Sequence, residues 1–152
     1  MVREGQFCRQ GDACFAEVLR AGLRATAVNV SLLTTRDAAG HYHGLAVTTA
    51  VPFATLEPSM IVAVAHQASA YPAISDSGVF CLNQITNRDI ELLDRFCRSD
   101  LRASRFASAE WRADTGGLPY LKGALASFFC RVTSSHDLED QTVFISRIEG
   151  VR

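Results

Sequence analysis

The chain has 152 residues, near the usual size of one domain, enough to bury a core without staples but too few for two full cores. Fifteen Lys and Arg against sixteen Asp and Glu leave a formal charge of -1, which removes the electrostatic footprint of a nucleic-acid or anionic-membrane binder. Hydrophobic residues make up 48% and charged ones 20%, which excludes a disordered chain.

Met1 to Asp12 is polar and lacks an apolar stretch of signal-peptide type, so the cytoplasm is the expected address. Asp12 is placed to cap a helix in which Phe15, Val18, Leu19, Gly22 and Leu23 recur at helical spacing. From Ala27 the pattern becomes β-branched and runs to a turn at Arg36 to Gly40, followed by a strand from His41, which predicts a hairpin. The apolar window Gly44 to Ala65 nearly equals a membrane span in length, but Pro52, Glu57 and Pro58 break it into two strands. The second of these, Ser59 to Ala65, is apolar throughout and reads as a strand buried on both faces at the centre of a barrel. Ser69 is placed to start a short helix with Pro72 in its first turn and Gly78 at its end, before the strand Val79 to Asn83. Asn87 then opens a helix carrying Ile90, Leu93 and Phe96.

Cys97 to Tyr120 shows no sustained period and reads as a long excursion of the kind that forms lids. Two last strands, Ala124 to Thr133 and Gln141 to Glu149, make another hairpin. Six or so strands in hairpins with two or three short helices favour a small antiparallel barrel over an alternating βαβ sheet. No G-x-G-x-x-G or phosphate loop of the Gly-Lys-Ser/Thr type is present. Five cysteines, at 8, 14, 81, 97 and 130, show no C-x-x-C pair, and the odd count predicts reduced, mostly buried thiols.

Three constellations carry possible chemistry. The segment Gly44 to Phe53 sets Thr48 and Thr49 at a strand end beside small side chains, where hydroxyls and backbone N–H groups suit a planar polar ligand. The same threonines also read as strand formers chosen for propensity. His66 to Tyr71 lies between a strand and a helix start and suits a phosphate, or an ordinary serine cap. Arg95, Arg98, Arg102 and Arg105 form a basic cluster that reads as a solvated face or as a phosphate contact. His41-x-His43 would put two imidazoles on one strand face, but without a third ligand no metal site is expected.

Taken in order, these segments resemble the flavin reductase-like family, the FMN-binding split barrels that include the small reductase components of two-component monooxygenases. The likeness spans nearly the whole chain. Its anchors are Gly44-Leu45-x-Val47-Thr48-Thr49 with Leu56-Glu57-Pro58, Ser69 to Ile74, Ser77 to Asn83, Arg105-Phe106 followed by Trp111, and Ala124 to Cys130. The resemblance implies a mainly β fold, an antiparallel FMN-binding split β-barrel with a few short helices, spanning 1–152 as a single domain. It implies that Val47, Thr48, Thr49 and Ala50 line a flavin ring, that Ala65, His66, Gln67, Ser69 and Ala70 help hold the ribityl phosphate, and that Arg105 assists a phosphate. Gln141 borders the nicotinamide side as the candidate catalytic residue. FMN or FAD as cofactor, NAD(P)H as co-substrate, a homodimer and an oxygenase partner follow from the same resemblance. A flavin-binding protein without turnover, and a cofactor-free interaction module, are the other functions that this fold would serve.

The chain departs from the family pattern at Ala46, Pro52 and Ala54, where hydroxyl side chains are common. Glu139-Asp140-Gln141 stands where the family has Gly-Asp-His, and the sequence ends at Arg152, before another strand that relatives usually add. These departures bear on hydride transfer more than on flavin binding.

Overall fold

The computed structural model describes residues 7–54 and 56–152. Nine strands and three α-helices follow one another as α1 (Phe15–Ala25), β1 (Ser31–Arg36), β2 (Tyr42–Val47), β3 (Val51–Ala54), β4 (Pro58–Ala65), α2 (Tyr71–Ser77), β5 (Val79–Gln84), α3 (Ile90–Cys97), β6 (Trp111–Ala113), β7 (Pro119–Leu121), β8 (Ala126–Asp137) and β9 (Gln141–Val151). Seven strands form an antiparallel sheet in the order β2-β1-β5-β8-β9-β4-β3, and β6 pairs with β7 in a separate ribbon. The sheet curls until β2, at one edge, touches β4 near the other. Thr49 stitches the seam: its hydroxyl donates to the Ala63 carbonyl at 3.2 Å and accepts from the Ala63 N–H at 3.1 Å. The expected antiparallel split barrel is thus an open half-barrel whose two edges are joined by residues 48–50.

Two apolar clusters sandwich the middle of the sheet. Inside the curl lie Leu33, Val47, Met60, Val62, Val64, Ile74, Phe80, Leu82 and Phe144. Outside it, Leu32 packs with Leu92, Phe96, Trp111 and Leu121 beneath α3 and the ribbon. Successive strand residues face opposite ways, so Leu32 and Leu33 enter different clusters, and Ser31 to Thr35 are all buried. Strands β1 and β5, the latter through Phe80 to Asn83, are therefore buried on both faces. The sequence points to Ser59 to Ala65 instead, but β4 lies one strand from the sheet edge and alternates between buried Met60, Val62, Val64 and half-exposed Ile61, Ala63. Ile61 and Ala63 on its outer face stay half-exposed, which an apolar run alone does not reveal.

The buried polar side chains at the middle of the sheet find partners. Asn83, wholly buried, donates to the Leu32 carbonyl and to the Thr34 hydroxyl, while its amide oxygen accepts from the Leu121 N–H and from Ser127. One side chain thereby ties β5 to β1, β7 and β8, as a buried amide must to offset its lost hydration. Gly78 ends α2 at φ +65°, a left-handed conformation that suits glycine.

Several local expectations change. Asp12 does not cap α1: its carboxylate accepts from the Arg9 N–H at 2.7 Å, and Cys14 holds the cap position. That turn folds the chain back so that Cys8 and Cys14 form a disulfide, leaving Cys81, Cys97 and Cys130 free. The expectation of reduced thiols throughout fails because the turn between the two residues brings their Cα atoms within 6.2 Å. Cys81 and Cys130 are buried as expected, and burial pushes the Cys130 thiol up to about 12 and Cys81 further, so neither is a nucleophile. Thr86 caps a 3₁₀ turn, Asn87–Asp89, through a capping box with Asp89, and α3 then buries Leu92 and Phe96 while Ile90 stays exposed.

Candidate functional site

Strand register decides which of the distant segments meet. Ala65 pairs with Gln141 across β4 and β9, and the His66 N–H donates to the Asp140 carbonyl at 2.9 Å. The Thr49 bonds to Ala63 bring residues 48–50 to the same rim. Val47, Thr48, Thr49, Ala50, Ala65, His66, Gln67 and Gln141 therefore share one end of the half-barrel, although up to 94 positions separate them in sequence (141 − 47).

Their side chains do different things. Val47 and Ala70 are 4% and 0% exposed and belong to the inner core, so neither offers its side chain to a ligand. Thr48, Thr49, Ala65 and Gln67 are exposed, and Ala50 and Gln141 are half-buried. The backbone N–H groups of Thr48, Thr49 and Ala50 find no partner among the described residues. Three adjacent unpaired donors on a short loop suit the carbonyl and ring-nitrogen acceptors of a flat heterocycle.

Ser69 does not cap α2, whose cap position is Ala70. It instead lines a groove of about 650 Å³ together with His41, Tyr42, His43, Arg102 and Arg105. A hydroxyl and an exposed guanidinium beside two imidazoles suit an anion, with the Asp100 carboxylate, paired to Arg98, on the same lining. The two histidines share one carboxylate: His43 Nε2 and His41 Nδ1 lie 2.9 and 3.3 Å from Asp37 Oδ2. The bond from His43 is the foremost cause holding the Asp37 carboxyl well below the usual range, helped by the His41 N–H. Both imidazoles are thus directed at Asp37.

Arg105 departs furthest from its expected use. It is 6% exposed, and its guanidinium donates to the carbonyls of Gly44 at 2.7 Å, Arg95 at 2.9 Å and Arg98 at 3.1 Å. Its face lies over the Phe96 ring, and its own carbonyl accepts from the Trp111 indole at 2.9 Å. Arg105 thus clamps residues 95–111 onto β2, and its donors serve carbonyls before any phosphate. The supposed lid is pinned by the packed rings of Phe96, Phe106 and Trp111. The basic cluster is divided as well, since Arg98 pairs with Asp100 at 2.6 Å and Arg102 alone joins Arg105 at the groove.

A further set escaped the sequence. Thr142 lies 3.0 Å from both His66 Nε2 and the Tyr71 hydroxyl, and it donates to Asp137 at 2.7 Å. No local motif marks it, because the register of β4 on β9 and the β8–β9 hairpin assemble the group.

Comparison with known proteins gives the family of the chain. Residues 23–152 match the flavin reductase like domain family. The chain is 32% identical over 140 residues to FMN reductase (NADH) RutF 2 of Methylorubrum extorquens, covering 92% of this chain and 81% of that protein. Among solved structures, a flavin reductase domain protein from Arthrobacter sp. FB24 superposes with a TM-score of 0.82 at 20% identity, covering 91% of this chain and 84% of that one. Nitrilotriacetate monooxygenase component B from Mycobacterium thermoresistibile does so at 0.81 and 25% identity, covering 90% and 75%.

Proposed function

This chain belongs to the flavin reductase-like family, and from that premise we propose that it binds FMN and reduces it with NADH. The observation that carries the reading is the rim of N–H donors at Thr48, Thr49 and Ala50 that find no partner among the described residues, beside the end of β4 whose following turn carries Ser69 into the groove with Arg102. Those donors fit a flavin ring, and the groove fits its phosphate. FMN, once held there, would supply the redox chemistry, with NADH as the source of reducing equivalents.

The chain's own residues bind and orient. Residues 47–50 present backbone N–H groups toward the ring, Ala65, His66, Gln67 and Ala70 shape the turn beside it, and Ser69 holds the phosphate. Arg105 acts by fixing the Gly44 end of β2, and Arg102 is the guanidinium left to face a phosphate. Gln141 borders the nicotinamide as a neutral amide, so it serves as a hydrogen-bonding guide with no acid or base function. FAD and NADPH are the alternative ligands.

The same reading extends to assembly. Relatives such as nitrilotriacetate monooxygenase component B carry the name of an oxygenase system, and an oxygenase that consumes reduced flavin is the proposed partner here. A homodimer is supported by α1, none of whose residues is buried although Leu19 and Leu23 lie on its apolar stripe. No helix among the described residues is long and apolar enough to cross a membrane, and the cytoplasm is the proposed location. One domain over 1–152 is the proposed working unit.

Anaerobic titration tests the reaction. The purified protein mixed with FMN is expected to quench flavin fluorescence and to bleach the flavin bands over many turnovers when NADH is added. A protein that leaves both signals unchanged overturns the proposal.

A further inference from the structure

The hydrogen bonds around Thr142 contain more information than their distances. Thr142 Oγ1 has one proton and two lone pairs, and three groups surround it: Asp137 Oδ1 at 2.7 Å, His66 Nε2 at 3.0 Å and the Tyr71 hydroxyl at 3.0 Å. An ionised carboxylate only accepts, so the threonine proton goes to Asp137. Both lone pairs must then accept, one from the Tyr71 O–H and one from His66 Nε2–H. A neutral imidazole carries a single ring proton, and here that proton sits on Nε2. The remaining nitrogen, Nδ1, has no partner among the described residues.

We propose that Asp137 is a positioning residue that acts through Thr142 to lock His66 as the Nε2–H tautomer, leaving Nδ1 as a hydrogen-bond acceptor for an amide- or imide-type N–H of the bound ligand. The lock is built from three strands: Asp137 ends β8, Thr142 opens β9 opposite it, and His66 follows β4. Thr142 is 2% exposed, so water does not compete for its lone pairs. The His66 ring is further held against Tyr71, with ring centroids 4.9 Å apart. His66 adjoins Ala65, the ladder partner of Gln141, at the rim where the donors of residues 48–50 are gathered. An acceptor there complements a site otherwise rich in donors. Both a flavin imide and a nicotinamide carboxamide offer the matching N–H, and this second half of the proposal rests on the reductase reading.

The lock is read without ligand by ¹⁵N–¹H long-range NMR of the histidine rings in the full chain. The wild type is expected to show His66 as the Nε2–H tautomer. Asp137→Ala frees the threonine proton to point at Nε2 and should bring in the Nδ1–H form, whereas Asp137→Asn, whose amide oxygen still accepts, should retain the lock. A wild-type Nδ1–H tautomer, or no change in Asp137→Ala, overturns it. For the ligand, Asp137→Ala should weaken FMN about fivefold, as expected for one hydrogen bond, and leave N3-methyl-FMN unaffected if the imide is the source. If the carboxamide is the source, FMN affinity holds and KM for NADH rises by a similar factor. Unchanged values for both overturn the acceptor role. A chain that binds no FMN at all sinks the reductase reading, while the ring spectrum still decides the lock.

Discussion

The two ends of β2 use polar groups in opposite ways. At its beginning, Arg105 donates to three carbonyls, Gly44 among them, under a cover of Phe96 and Trp111. At its end, the N–H groups of residues 48–50 find no partner among the described residues, and Thr49 is tied down only through its side chain. A cation and a set of donors, both attractive to a nucleotide on paper, are separated by whether the fold has already used them. Ligands are to be sought where hydrogen-bonding capacity is left over, and rigidity where it is exhausted.

The largest test of that contrast is Arg105→Met. It leaves three carbonyls without their charged donor and is expected to lower unfolding free energy by about 3 kcal/mol in a urea titration. Normal stability with a tenfold loss of FMN affinity would move Arg105 to the ligand side and break the comparison. Gly44→Ala should cost about 2 kcal/mol by overpacking, because a Cβ there would meet Phe96 at 2.6 Å and the Leu33 carbonyl at 2.9 Å. A melting temperature unchanged by that substitution would show that the clamp is looser than it looks.

On the open side the order of effects reverses. Ser69→Asp is expected to weaken FMN about tenfold, equivalent to about 1.4 kcal/mol, by repelling the phosphate, with the unfolding curve unmoved; equal affinity in fluorescence titration refutes the phosphate assignment. Thr49→Val removes the seam bonds to Ala63 and should cost about 1 kcal/mol of stability, measured by denaturant unfolding. The smallest effect belongs to Asp37, whose carboxyl is held low in the folded protein by His43 and His41. A lowered folded value means stability that is present above the unfolded carboxylate range near pH 4 and lost as pH falls through the folded value. Asp37→Asn should therefore flatten the acid limb of the stability curve, and an unaltered limb in acid titration would show that the pair contributes nothing.

Much of this was legible in the chain itself. The hairpin turn at Asp37 to Gly40, the Pro72 and Gly78 punctuation of α2 and the β8–β9 hairpin depend on local chemistry, so local patterns reveal them. The ordered anchors from Gly44 to Cys130 carried the family, while the meeting of residues 47–50, 65–67 and 141 at one rim depends on strand register. The bonds of Arg105 were not legible because nothing near it in sequence shows that its guanidinium meets the Gly44 carbonyl, 61 positions away. Strand β4 was misread because an apolar run is equally compatible with one covered face or two, and coverage is set by where α3 lands. The roles of Asp137 and Thr142 were invisible for a similar reason: a proton's location depends on three partners that only the sheet brings together.

The first helix has one more consequence. Since α1 buries none of its residues and is fastened by a local disulfide, its amides have no share in the free energy that holds the sheet. They should exchange with deuterium through small local openings, within the time that β5, β8 and β9 amides wait for global unfolding. A second copy of the chain seated on Leu19 and Leu23 would slow the helix's exchange with protein concentration while leaving the sheet's own clock untouched.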